Sequence, residues 1–287
     1  VVLVPCAQAQ DRNKARANHV VLVSVDGLRP DAIEKAKATN LLGLIKKGAF
    51  CATAQTIDSS ITLPSHTSMV TGLTYDRHGV DWNSYEDKYV SHPTIFSVAK
   101  KAGLSTAFFY SKNKMLALVP KATADYKYGP LPPDSDEREP DSSAMGVAKA
   151  FAAAWQKKAY ALTFIHLREP DSAGHGEGWM SEPYIESIRE VDEALGLILK
   201  TLKKTKRLSK TVIIISADHG GHGDGHGSDD PRDTTIPWVC MGPGVKAGTK
   251  IKRTVQTYDT APTVLAFLGL ESPKGIDGKI VREVFGK

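Results

Sequence analysis

The chain has 287 residues, 41% of them hydrophobic and 24% charged, which supplies a large core and excludes a disordered chain. Its formal charge of +5 comes from Lys and Arg scattered over surface-like stretches such as Lys200 to Lys210, so no polyanion stripe forms and no nucleic-acid polymer is expected as a partner. Three cysteines exclude a disulfide-stapled scaffold, and no apolar run approaches the roughly 18 residues of a membrane span.

The first nine residues, VVLVPCAQA, read as the remnant of a secretion signal, with Ala7-Gln8-Ala9 in the small-x-small pattern cut by signal peptidase. Periplasmic or secreted localisation is the expectation that follows. Cys6 raises lipid anchoring as a rival, although Pro5 directly before it fits poorly. No linker, repeat or composition break divides residues 10–287, which are expected to form a single domain.

His19 to Val25 (HVVLVSV) is a Val-rich run ending at Asp26-Gly27, the pattern of a central strand buried on both faces. Cys51 sits in strand-like GAFCATA, and shorter apolar runs lie at Ser105 to Tyr110 and Thr235 to Met241, the latter holding Cys240. Both thiols are expected buried and free. Ala161 to Leu167 and Thr211 to Ser216 resemble the first strand. Between them, Leu41 to Lys47, Ile95 to Lys101, Ala144 to Lys157 and Ile185 to Lys204 space apolar residues three and four apart, with charges opposite. This alternation predicts an α/β fold: a three-layer α/β/α sandwich around a mostly parallel sheet. Gly129 to Ser143, rich in Pro, Asp and Glu, reads as a solvent loop near the rim.

Open parallel sheets place their sites just beyond the carboxyl ends of strands. Asp26, Asp171 with His175, and Asp218 with His219 all lie there, and one sheet would bring them together. Any one alone is ordinary: an Asp after a strand commonly caps a helix, and a lone His is commonly a hydrogen-bonded core or surface group. Together they offer hard oxygen and borderline nitrogen donors for divalent ions. His222 and His226 follow in Gly-rich GGHGDGHG. Thr62, in SSITLPSHTSMVTG, precedes Pro64 and a helix predicted over Ser65 to Val70, so its hydroxyl faces a helix N-terminus. The bland alternative is that Thr62 or Ser60 is only an N-cap. Asp259, in YDTAPTVLAFLGL, is expected to cap the last helix.

These segments, in order VSVDGLRPD, ITLPSHTSMVTGLTYDRHGV, EPDSAGH, SADHGGHG, HGSDD with IPWVCMGPGV, and YDTAPTVLAFLGL, resemble the alkaline phosphatase superfamily, in its type I phosphodiesterase / nucleotide pyrophosphatase branch. The resemblance implies two divalent ions, Zn2+ or alternatively Mn2+. It assigns Asp171, His175 and His226 to one ion and Asp26, Asp218 and His219 to the other, with His226 preferred to His222 by its spacing to IPW. It implies that Thr62 attacks phosphorus to give a phosphothreonine and that Asn83 donates to a phosphoryl oxygen of a small-molecule phosphate ester. Lys112 and Lys114 in YSKNKML resemble a Lys-x-Arg pair that contacts phosphate in some monoesterases of the superfamily. The competing explanation is solvent-exposed Lys at a helix start.

A phosphomonoesterase of the same fold is the nearest rival to a phosphodiesterase. A sulfatase is disfavoured because Thr62-Leu63-Pro64-Ser65-His66 lacks the Cys or Ser before x-Pro-x-Arg. A phosphoglycerate mutase is disfavoured by the missing Ser nucleophile and inserted domain. A catalytically inactive phosphate-ligand binding protein is the alternative from another class. The sequence assigns no oligomeric state.

Overall fold

The computed structural model describes residues 15–286, so the signal-like segment 1–9 and Cys6 lie outside the described residues. Eight strands form one sheet: β1 His19–Val25, β2 Ala49–Gln55, β3 Thr106–Phe109, β4 Tyr126–Tyr128, β5 Leu162–Leu167, β6 Thr211–Ser216, β7 Thr235–Met241 and β8 Thr249–Lys250. Their order is β4-β3-β5-β1-β6-β7-β2-β8. Only β7 runs against its neighbours, pairing antiparallel with both β6 and β2, while the other pairings are parallel. The centre is therefore β5-β1-β6. These three are the most continuously apolar runs in the chain, and each is buried along its length save for the first residue of β1. Burying each Val, Leu or Ile there contributes about 1.5–3 kcal/mol.

Helices cover both faces. On one, Ala144–Lys157 packs against Glu182–Lys204, and the latter against Thr39–Lys47. On the other lie Thr62–Thr71, Ile95–Lys101 and Thr260–Phe267. The longest helix starts at Glu182, three residues before the first predicted helical position, and is capped by Ser181, whose hydroxyl accepts from the Tyr184 N–H. Cys51 and Cys240 are buried and free, as expected.

Two expectations are corrected. The helix after the Thr62 motif begins at Thr62 itself, with Ile61 in the cap position and no side-chain cap, so neither Thr62 nor Ser60 is an N-cap. Pro64 falls in its first turn, where the missing N–H is harmless. Asp259 occupies the cap position of Thr260–Phe267 but makes no side-chain cap bond. Its carboxylate accepts instead from Arg253 Nη1, Gln256 N and Lys279 N, at 2.8, 3.1 and 2.7 Å. The edge strands β4 and β8 escaped the sequence reading because they are short and lack an apolar run to signal them.

Candidate functional site

The carboxyl ends of β5, β1 and β6 deliver Asp171, Asp26 and Asp218 to one place. All three are buried, at 3%, 0% and 0% exposure. Close approach is built into the backbone: Asp171 N–H donates to Asp26 O at 3.0 Å, and Gly27, at φ +74°, lies where a Cβ would meet Asp171 Cα at 2.9 Å. Glycine alone fits that contact.

Each carboxylate divides its two oxygens between different tasks. Asp218 Oδ1 accepts from the N–H groups of Gly27 and His219, at 3.2 and 3.0 Å. Asp26 Oδ2 accepts from His166 Nε2 at 3.0 Å and from the Lys112 ammonium at 2.6 Å. Asp171 Oδ2 accepts from the same ammonium at 2.6 Å. The opposite oxygens, Asp218 Oδ2, Asp26 Oδ1 and Asp171 Oδ1, are buried without a hydrogen-bond partner. A buried carboxylate oxygen left unpaired is costly, which makes such a set the mark of a cation site.

The histidines show the matching half of that pattern. Nδ1 of His219, His226 and His175 donates to the carbonyls of Gly220, Ser60 and Asp224, at 2.9, 2.8 and 2.9 Å. A carbonyl only accepts, so each Nδ1 carries a proton and Nε2 is the atom that faces a ligand. Burial opposes a second proton on His219, but Asp218 and Asp26 push it up to about 9, and the Asp171 carboxylate raises His175, so a cation would displace the Nε2 proton of these two rings. His219 Nε2 lies 3.3 Å from both Asp26 Oδ1 and Asp218 Oδ2, while His175 and His226 Nε2 lie 3.3 and 3.6 Å from Asp171 Oδ1. Two groups of donor atoms thereby fit an ion: Asp171, His175, His226, and Asp26, Asp171, His219. His222 goes elsewhere, to Asp233 Oδ1 at 2.7 Å.

Thr62, 1% exposed, reaches this cluster through its hydroxyl, 3.4 Å from His219 Nε2. Its helix is pinned to the end of β6 by the Ser65 hydroxyl, which donates to Asp218 O at 2.7 Å. Asn83 caps the first turn from outside, its Oδ1 accepting from the Leu63 N–H at 3.0 Å and from Lys114 Nζ at 2.9 Å. Both donors claim the oxygen, so the Nδ2 hydrogens and the Thr62 N–H are the groups left for an anion. Lys114 therefore stands beside the phosphoryl-contact candidate, whereas Lys112 stands between two carboxylates.

Burial opposes ionisation of Asp26, yet Lys112 and His166 hold it well below the usual carboxylate range. Burial, and then the charge of Asp26, push Asp218 up to about 7. Burial lowers His66 and His166 to about 4, so both are neutral.

Those two histidines are the residues that sequence reasoning missed. His66 Nδ1 donates to Thr62 O at 2.7 Å while its Nε2 accepts from the Ser24 hydroxyl at 2.8 Å, which fixes the backbone carrying the Thr62 hydroxyl. His166 Nδ1 accepts from the Ser111 N–H at 3.3 Å, which leaves its proton on Nε2 for Asp26. A signal existed: His166 interrupts the otherwise apolar FIHL of β5, and a ring in a doubly buried strand needs polar partners.

The fold is that of the alkaline phosphatase superfamily. The chain superposes on a murine ectonucleotide pyrophosphatase/phosphodiesterase 5, an inactive variant in complex with AMP, with a TM-score of 0.79 at 17% identity, covering 94% of this chain and 100% of that one. A 2-O glycosaminoglycan sulfatase shares the fold with a TM-score of 0.73 at 16% identity, over 93% of this chain and 74% of that one. Within that fold class the sequence is more particular. The profile of the type I phosphodiesterase / nucleotide pyrophosphatase family matches residues 20–223, and the chain belongs to that family. Ectonucleotide pyrophosphatase/phosphodiesterase family member 7 of Rattus norvegicus is 25% identical over 239 residues, 77% of this chain and 54% of that protein. The chain thus spans about half the length of that curated relative.

Proposed function

We propose that the chain is a metal-dependent phosphoester hydrolase, a phosphodiesterase or nucleotide pyrophosphatase, in which Thr62 is the nucleophile. The observation that carries this reading is the convergence of three unpartnered buried carboxylate oxygens and three imidazole Nε2 atoms beside a threonine hydroxyl in a helix first turn. Asp171, His175 and His226 would hold one divalent ion and Asp26, Asp218 and His219 a second. Carboxylate and imidazole donors suit Zn2+, with Mn2+ as the alternative. When bound, such ions lower the proton affinity of a hydroxyl and neutralise phosphoryl charge.

The chain's own groups supply the rest. Thr62 Oγ1 forms a bond to phosphorus as the ester bond to the leaving group breaks, giving a phosphothreonine that water cleaves to regenerate the hydroxyl. The Thr62 N–H and the Asn83 Nδ2 donate to phosphoryl oxygens, and the helix N-terminus favours their negative charge. His66 and His166 hold Thr62 and Asp26 in place and stay neutral. The AMP held by the murine structural relative favours a nucleotide-like ester. The signal-like start supports action in the periplasm or outside the cell.

A second reading is favoured by one observation. Lys114 Nζ, on Asn83 Oδ1 at 2.9 Å, adds a positive charge beside the phosphoryl position, which suits the dianion of a phosphomonoester. Hydrolysis of bis-p-nitrophenyl phosphate against p-nitrophenyl phosphate by zinc-loaded protein, with a chelated control, tests both. Diester preference abolished by chelator is the expected result. Monoester preference would move the assignment to a phosphatase, and activity undiminished by chelation would overturn the metal-dependent reading.

A further inference from the structure

Lys112 directs its charge at two carboxylates of the site. Its ammonium is 2.6 Å from Asp26 Oδ2 and 2.6 Å from Asp171 Oδ2, and its side chain is only 19% exposed. Both oxygens it takes are the ones facing away from the unpartnered pair, Asp26 Oδ1 and Asp171 Oδ1. The β3 strand ends at Phe109, and the next residues, Tyr110 to Lys112, run across the end of neighbouring β5, where the Ser111 hydroxyl donates to His166 O at 2.9 Å. This clamp aims the lysine between the ends of β5 and β1. Without it, Asp26 Oδ2 would keep only the neutral His166 and Asp171 Oδ2 would lose its partner, in two buried residues already joined by a backbone hydrogen bond.

We propose that Lys112 is a resident counter-ion, a positioning residue that lets the site fold before metal arrives and weakens the hold on metal once it binds. This rests on the metal-site reading above. The ammonium attracts both carboxylates, so it stabilises the metal-free protein. It also repels any cation drawn to Asp26 Oδ1 and Asp171 Oδ1, because like charges a few ångströms apart in a partly buried site interact strongly. Losing it should move metal-free stability and metal affinity in opposite directions. A residue that merely packs would not do that.

The test compares wild type, Lys112→Met and Lys112→Arg, using two readouts that do not involve turnover. Thermal unfolding of chelated protein gives metal-free stability, and zinc competition against a chromophoric chelator gives affinity. The expected result is a lower melting temperature for chelated Lys112→Met, with zinc held more tightly by about tenfold or more. Lys112→Arg should restore the wild-type pattern in both. Unchanged metal-free stability, or zinc affinity that is equal or weaker in Lys112→Met, would overturn the proposal. Should Lys112→Met fail to fold without metal, Lys112→Met/Asp171→Asn decides: recovery of metal-free folding supports charge compensation, and continued failure overturns it. Wild-type protein that binds no zinc would sink the metal-site reading itself, whereas equal behaviour of wild type and Lys112→Met would sink only the counter-ion.

Discussion

Buried aspartates occur in two kinds of place in this protein, and their oxygens tell them apart. Asp192 on the longest helix caps Thr39–Lys47: Oδ1 accepts from Leu41 N at 2.8 Å, and Oδ2 from Asn40 N and Nδ2, both at 3.0 Å. Asp233 receives His222 on one oxygen and the N–H and hydroxyl of Ser228 on the other. Asp259 is saturated in the same way by Arg253, Gln256 and Lys279. Asp26, Asp171 and Asp218 are equally buried, yet each keeps one oxygen unpaired. A saturated carboxylate joins chain segments, and its removal leaves donors orphaned. A half-saturated one is held by one oxygen so that the other can serve something the chain does not contain.

The sharpest test of this contrast is at its catalytic edge. Thr62→Ala should retain the fold and bound zinc but lose hydrolysis by about 10³-fold or more; wild-type turnover in the zinc-loaded variant would end the nucleophile assignment. Asp171→Ala and His226→Ala should next lower zinc content by one ion per chain, measured by elemental analysis after gel filtration. Unchanged stoichiometry in both would show that the ligand set is wrong.

Among the saturated group, Asp259→Ala should lower unfolding stability by about 2–3 kcal/mol, because Lys279 N and Gln256 N lose their acceptor. Zinc stoichiometry of the folded fraction should not change. Within the half-saturated group, Asp218 predicts the opposite sign. Asp218→Asn should raise the stability of chelated protein by about 1 kcal/mol, since burial already disfavours that charge, and should abolish zinc-induced stabilisation. A stability loss there comparable to Asp259→Ala would erase the distinction between the groups. His222→Ala should cost about 1–3 kcal/mol, because the buried Asp233 Oδ1 loses its partner, with both ions retained.

Much of this was legible in one dimension. The HVVLVSV, ALTFIHL and TVIIIS runs specify strands by composition alone, since only a doubly covered sheet buries such continuous apolar segments. Asp26, Asp171 and Asp218 could be read as neighbours because each follows one of those strands closely. Motif order in turn singled out His226 from His222 and fixed attention on Thr62 and Asn83. What the sequence left open depends on contacts between residues far apart in the chain. His166 meets Asp26 across 140 positions, Lys112 meets Asp171 across 59, and His66 sits behind Thr62 only because Ser24 of β1 passes beneath it. Local pattern determines which side chains arrive at the sheet's end. Which oxygen of each carboxylate is anchored and which is left unpaired follows from packing against His166, Lys112 and the Gly27 backbone, and tertiary structure alone decided it.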